Sequence, residues 1–295
     1  MHEGRLNLAT FAPDGQTLYT GGADMRVVAW EPATGAARHL VGQHDQATLT
    51  ALAVTPDGTW VMAGNYHGAF FGWPAMGGPQ RVLDPSSSGI GHYKDLHAIA
   101  FTPDGRLAMT GGGSDDYQLL VWEMATGAVV GRGGGQDSLG ATAGLVALPD
   151  GQRVLASSFI HRGVLHPWTV TGGAPKRGKA WGKSVDGLPL TIVGDATGRR
   201  VLAMGLAASM IYEDGEPVAT LPGAIRGGFV GAGRVALMGF DWAVMLHDLA
   251  GGAPQKLGQV PSGAYFPTVA TSADRVVVAG EVFWGFDMAT LGRCW

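Results

Sequence analysis

A chain of 295 residues that is 46% hydrophobic and 15% charged can bury a large core, which excludes a disordered polymer. The net charge is −4 with no block of like charge; the densest basic stretch, Lys176, Arg177, Lys179 and Lys183, reads as a solvated loop, so no nucleic-acid partner is expected. Cys294 is the only cysteine, which excludes an intrachain disulfide and a cysteine metal cluster. With no signal-peptide pattern and no apolar run of about 18 residues, the expectation is a cytoplasmic protein with no membrane partner.

The first elements in chain order form an apolar strand, a Pro-Asp-Gly turn and a second strand: Ala9-Thr10-Phe11-Ala12-Pro13-Asp14-Gly15, continuing into Thr17–Gly21. Proline presets φ for the turn, aspartate bonds its own backbone, and glycine accepts positive φ. The unit returns at Pro56-Asp57-Gly58, Pro103-Asp104-Gly105 and Pro149-Asp150-Gly151, with the turn glycines 43, 47 and 46 residues apart. Degenerate copies follow at Asp195–Gly198, Gly231–Gly233 and Ser272–Asp274, each before an apolar strand. A third strand ends in an aromatic, as at Trp30, Trp73 and Trp122. A small-residue turn and a shorter fourth strand close the unit. Four strands per roughly 40 residues is one blade of a propeller. The expected fold is therefore all-β: a seven-bladed β-propeller with four antiparallel strands per blade. The blades are expected near 1–43, 44–90, 91–136, 137–183, 184–222, 223–260 and 261–295, as one domain over 1–295.

These units resemble WD40 repeats. The family's Gly-His signature stands at Gly91-His92, with His44 and His2 at matching distances before Pro56 and Pro13. Its Trp-Asp pair is blurred to Trp30-Glu31 and Trp122-Glu123. The resemblance implies a hydrogen-bonded set of Trp, Asp, Ser or Thr, and His in a blade. Blade three supplies it as Trp122, Asp116, Thr110 and His92, and blade one as Trp30, Asp24, Thr20 and His2. In blade two His67 occupies the aspartate position. The high Ala, Gly and Val content resembles bacterial sequences, and bacterial WD40 domains are often sensors fused to effectors. The abrupt ending at Arg293-Cys294-Trp295 fits part of a larger polypeptide whose last blade takes its outer strand from residues 292–295.

WD40 propellers usually bind partners on the face that carries the turns between second and third strands and the loops entering first strands, here called the top face. The expected partner-binding residues are Tyr66, Tyr93, His97, Phe159, Trp181, Arg226, Phe240 and Trp242, since aromatics and arginine dominate interface energetics. Tyr117, Ile160, Tyr265 and Phe266 fall in the same loops. No nucleophile elbow or phosphate loop occurs, and His161 and His166 lack further ligands nearby, so no catalytic residue, metal or cofactor is assigned. The leading expectation is a non-catalytic interaction or sensor module that binds a protein or peptide. The alternatives are a small-molecule or metal-dependent catalytic site at the central channel, and a scaffold that only spaces other domains.

Overall fold

A computed structural model describes residues 2–83, 91–113, 116–134, 141–158, 164–181, 189–261, 267–280, 283–290 and 292–294. They form seven four-stranded antiparallel sheets, each built from consecutive strands. Blade 1 is β1 Leu6–Phe11, β2 Leu18–Gly22, β3 Arg26–Glu31 and β4 Ala36–Gln43. Blade 2 is β5 Leu49–Val54, β6 Trp60–Asn65, β7 Phe70–Pro74 and β8 Arg81–Val82. Blade 3 is β9 Leu96–Phe101, β10 Leu107–Gly112, β11 Gln118–Glu123 and β12 Ala128–Gly134. Blade 4 is β13 Thr142–Ala147, β14 Arg153–Ser158, β15 His166–Thr169 and β16 Lys176–Arg177. Blade 5 is β17 Pro189–Gly194, β18 Arg200–Gly205, β19 Ala208–Glu213 and β20 Glu216–Pro222. Blade 6 is β21 Arg226–Val230, β22 Arg234–Met238, β23 Ala243–Asp248 and β24 Gln255–Gln259. Blade 7 is β25 Thr268–Thr271, β26 Arg275–Ala279, β27 Phe283–Asp287 and β28 Gly292–Arg293.

The first strand of each blade packs beside the first strand of the next, and β25 packs back on β1, so the inner strands wall a central channel. The sheets do not share strands. Between each pair of blades lies a cluster of buried apolar side chains. Leu18, Val28 and Trp30 of blade 1 meet Ala270 and Val277 of blade 7 in the closing one. Ring closure therefore rests on side-chain burial; the outer strand of blade 7, β28, comes from the C-terminal residues and pairs with β27.

Each blade contributes one large side chain near the end of its third strand: Trp30, Trp73, Trp122, Trp168, Tyr212, His247 and Phe286, all buried. Tyr212, His247 and Phe286 replace Trp where the repeats degenerate. Burial pushes the His247 imidazole below its ordinary value of 6.5. Burial also lowers that of His2, outweighing the attraction of Asp24. Both rings are thus held neutral in the fold, while the unfolded chain takes up protons near pH 6.5. The contribution to stability is complete above that pH and declines as pH falls toward the folded-state values. The urea midpoint is expected to drop between pH 7.5 and 5.5, and His247→Phe to flatten the drop; these pH values bracket the free imidazole pKa of about 6.5.

Glycine sets the blade spacing at one repeated position. Gly21, Gly64 and Gly111 on the second strands face Leu49, Leu96 and Thr142, the opening residues of the next inner strands. A Cβ on Gly64 would lie 2.5 Å from Leu96 Cδ2, and one on Gly111 would lie 2.5 Å from Thr142 Cγ2. Glycine in a strand commonly marks such a close approach.

Candidate functional site: the tetrads and the top mouth of the channel

In blade 3, Trp122 Nε1 donates to Thr110 Oγ1 at 2.7 Å, Thr110 Oγ1 and His92 Nε2 are 2.8 Å apart, and His92 Nδ1 meets Asp116 Oδ2 at 2.6 Å. The His92 and Asp116 side chains are wholly buried. The pattern assigns the protons: Nδ1–H donates to the carboxylate, which leaves Nε2 to accept from the threonine hydroxyl. Blade 1 repeats the set, with Trp30 Nε1 to Thr20 Oγ1 at 2.6 Å, Thr20 Oγ1 to His2 Nε2 at 2.8 Å and His2 Nδ1 to Asp24 Oδ2 at 2.8 Å. Burial raises the Asp24 carboxyl, but the Glu3 amide and His2 outweigh it and hold the group below the usual carboxylate range. Each tetrad ties the top loop entering a blade to the turn between its second and third strands.

Blade 2 builds no such set. Ala63 stands where blades 1 and 3 have threonine, and Asn65 Oδ1 accepts the amides of His67 and Ala69 to hold the turn. His44 instead stacks on Phe71 with centroids 4.0 Å apart and bonds Gln80 through Nδ1.

A second device shapes the channel. In blades 1 to 5 the inner strand carries a β-bulge at its second residue: Asn7, Thr50, His97, Ala143 and Leu190. A bulge leaves that residue unpaired and re-aims it. Asn7 Nδ2 donates to Leu49 O at 3.2 Å and Thr50 Oγ1 donates to Leu96 O at 2.6 Å, stitching each inner strand to the next. His97 Nε2 meets Asp95 Oδ2 at 2.6 Å. Blades 6 and 7 pair in straight register, and β21 opens with Arg226. Asn7, Thr50, His97, Ala143 and Arg226 line a cavity of about 770 Å³ at the top of the channel, together with Arg5, Leu206 and Phe240. The bottom end, near the Pro-Asp-Gly turns, is a smaller space of about 460 Å³.

A family model for the WD domain, G-beta repeat, matches residues 2–31 and 83–123, the two stretches that hold the tetrads. These two stretches match WD40 repeats within a seven-bladed β-propeller. The chain is also similar to "Protein LST8 homolog" of Drosophila melanogaster, 25% identical over 123 residues, which cover 41% of this chain and 38% of the relative. "Target of rapamycin complex subunit LST8" of Bos taurus is 29% identical and that of Mus musculus 28%, each over 115 residues covering 39% of this chain and 33% of the relative. The matched segments thus span about a third of these relatives.

On the propeller the residues expected at the top face fall into three groups. Tyr66 and Tyr93, each 63% exposed, and Phe240, 51% exposed, stand out from the surface. His97, Arg226 and Phe240 line the channel mouth. Trp181 and Trp242 are half-buried. Trp181 bridges Leu165 through its backbone and packs beside the cluster between blades 4 and 5, its ring against Gly215. Trp242 takes φ 64° in its turn and packs on the cluster between blades 6 and 7. Both rings tuck between blades, because an indole gains more from blade packing than from solvent. Phe159, Ile160, His161, Tyr265 and Phe266 lie outside the described residues. Asp95, the carboxylate holding His97, was missed; its only sequence signal was its place two residues before His97.

Proposed function

We propose that this propeller is a non-catalytic, cytoplasmic interaction module that takes a protein or peptide partner on its top face. The observation that carries the reading is the set of exposed rings in the top-face loops, Tyr66, Tyr93 and Phe240, the last of them lining a channel mouth of binding-site size. The relatives that are named as subunits of a target of rapamycin complex support assembly with other proteins. Pulldown from lysate compares the parent with the triple variant Tyr66→Ala, Tyr93→Ala, Phe240→Ala, both shown to be folded. A partner held by the parent is expected to weaken by about 2 kcal/mol, roughly thirtyfold in affinity. Equal retention would move the partner to the sides or the bottom face.

A channel-mouth catalytic site is the second reading, favoured by the imidazole of His97 held by Asp95. A metal there needs a third ligand, and among the described residues no group of three His, Cys, Asp or Glu is placed to hold one.

A further inference from the structure

Arg226 differs from the arginines that sit in ion pairs. Arg38 meets Glu31, Arg153 meets Asp150, Arg199 meets Asp214, and Arg200 meets Asp195. Arg226 lines the channel, and its described hydrogen bond runs from Nη1 to the Ile225 carbonyl at 2.8 Å. A guanidinium offers five N–H donors, and removing a cation from water without a counter-charge is costly. That cost shows as a lowered Arg226 pKa, caused by burial. Among the described residues that line the same cavity there is no aspartate or glutamate, whereas Arg5 adds a second cation.

The surroundings narrow the counter-charge. The cavity, about 770 Å³, is of the size that holds an organic ligand or a short peptide stretch and far exceeds a single small anion. Its rim carries Phe240 and Leu206, 51% and 46% exposed. An inorganic anion would leave those apolar groups in water, but a peptide with apolar residues beside an acidic one would cover them. The chain as a whole is acidic, with net charge −4, so general attraction does not favour an acidic partner. Any selection must come from the mouth itself.

We infer that the top mouth of the channel seats an acidic side chain on Arg226, presented by an extended peptide segment whose apolar neighbours rest on Phe240 and Leu206. This rests on the top-face reading and adds the chemistry of the partner.

Fluorescence anisotropy tests it with a dye-labelled, end-blocked hexapeptide of alternating Leu and Glu, its Leu–Gln counterpart, and inorganic phosphate as competitor. The Leu–Glu peptide is expected to bind about tenfold or more tightly than the Leu–Gln one, the scale of a lost charge-assisted hydrogen bond. Arg226→Gln is expected to erase that preference, Arg226→Lys to keep part of it, and Arg106→Gln, in a turn on the opposite face, to leave it unchanged. Equal binding of the two peptides overturns the inference, as does a preference that survives Arg226→Gln, or no binding of either. Displacement of the peptide by phosphate as effective as by unlabelled Leu–Glu peptide overturns the peptide in favour of a free anion. Should Arg226→Gln not fold, the parent's choice between the two peptides decides the matter. A captured partner lost in the triple aromatic variant but held by Arg226→Gln would sink the acidic contact and leave the top-face reading standing.

Discussion

Thr110→Val is expected to lower the stability of the propeller by about 3 kcal/mol, the cost of stranding two buried polar groups. The Thr110 hydroxyl is fully buried and is the hinge of the blade 3 tetrad. It accepts from Trp122 Nε1 at 2.7 Å and lies 2.8 Å from His92 Nε2. Valine has nearly the same shape, so packing is kept while both bonds go. The indole N–H and the imidazole nitrogen are then left without partners and without water. Behind them Asp116, held by His92 at 2.6 Å, loses its positioning. A urea titration reads the loss directly. Thr20→Val is expected to cost less, because Glu3 beside its tetrad is exposed and water reaches that loop more readily. An unchanged midpoint for Thr110→Val would show that the tetrad contributes nothing net to the fold.

Gly64→Val is expected to destabilise by about 1–3 kcal/mol through overpacking of the joint between blades 2 and 3. The added Cβ falls 2.5 Å from Leu96 Cδ2 and 2.9 Å from its Cβ. Leu96 is fully buried, with no solvent to turn toward. The strain then spreads to the register of the adjoining inner strands. Leu96→Ala alone is expected to cost about 2–5 kcal/mol by leaving a cavity. In the double variant the valine fills part of that cavity, so its loss is expected to be smaller than the sum of the two, with a coupling of about 0.5–3 kcal/mol. Strict additivity would show that the two positions do not share the joint.

The repeat was legible because its punctuation is chemical: Pro13-Asp14-Gly15 and its copies force turns wherever they stand. The seven four-stranded blades follow from that spacing. The tetrad residues of blades 1 and 3 were legible through the resemblance to WD40 repeats, which implies such a set in a blade. Blade 2 was half legible: His67 flagged the break, while Ala63 in place of threonine carries it. The inner-strand bulges were not legible. A one-residue bulge at Asn7 or His97 has no residue-type signature, yet it turns that side chain toward the channel. The partial burial of Trp181 and Trp242 was not legible, because loop position alone does not tell how far an aromatic faces water or packs between two blades. That choice is made by neighbours far along the chain, Gly215 for one and the cluster between blades 6 and 7 for the other.

The most direct test of top-face recognition is amide hydrogen exchange of the whole chain, alone and saturated with the partner recovered by pulldown. The expected result is new protection in the top loops around Tyr66, Tyr93 and Phe240 and at the start of β21 around Arg226, with the Pro-Asp-Gly turns at 13–15, 56–58 and 103–105 unchanged. Protection confined to those turns, or to the outer strands, would contradict it.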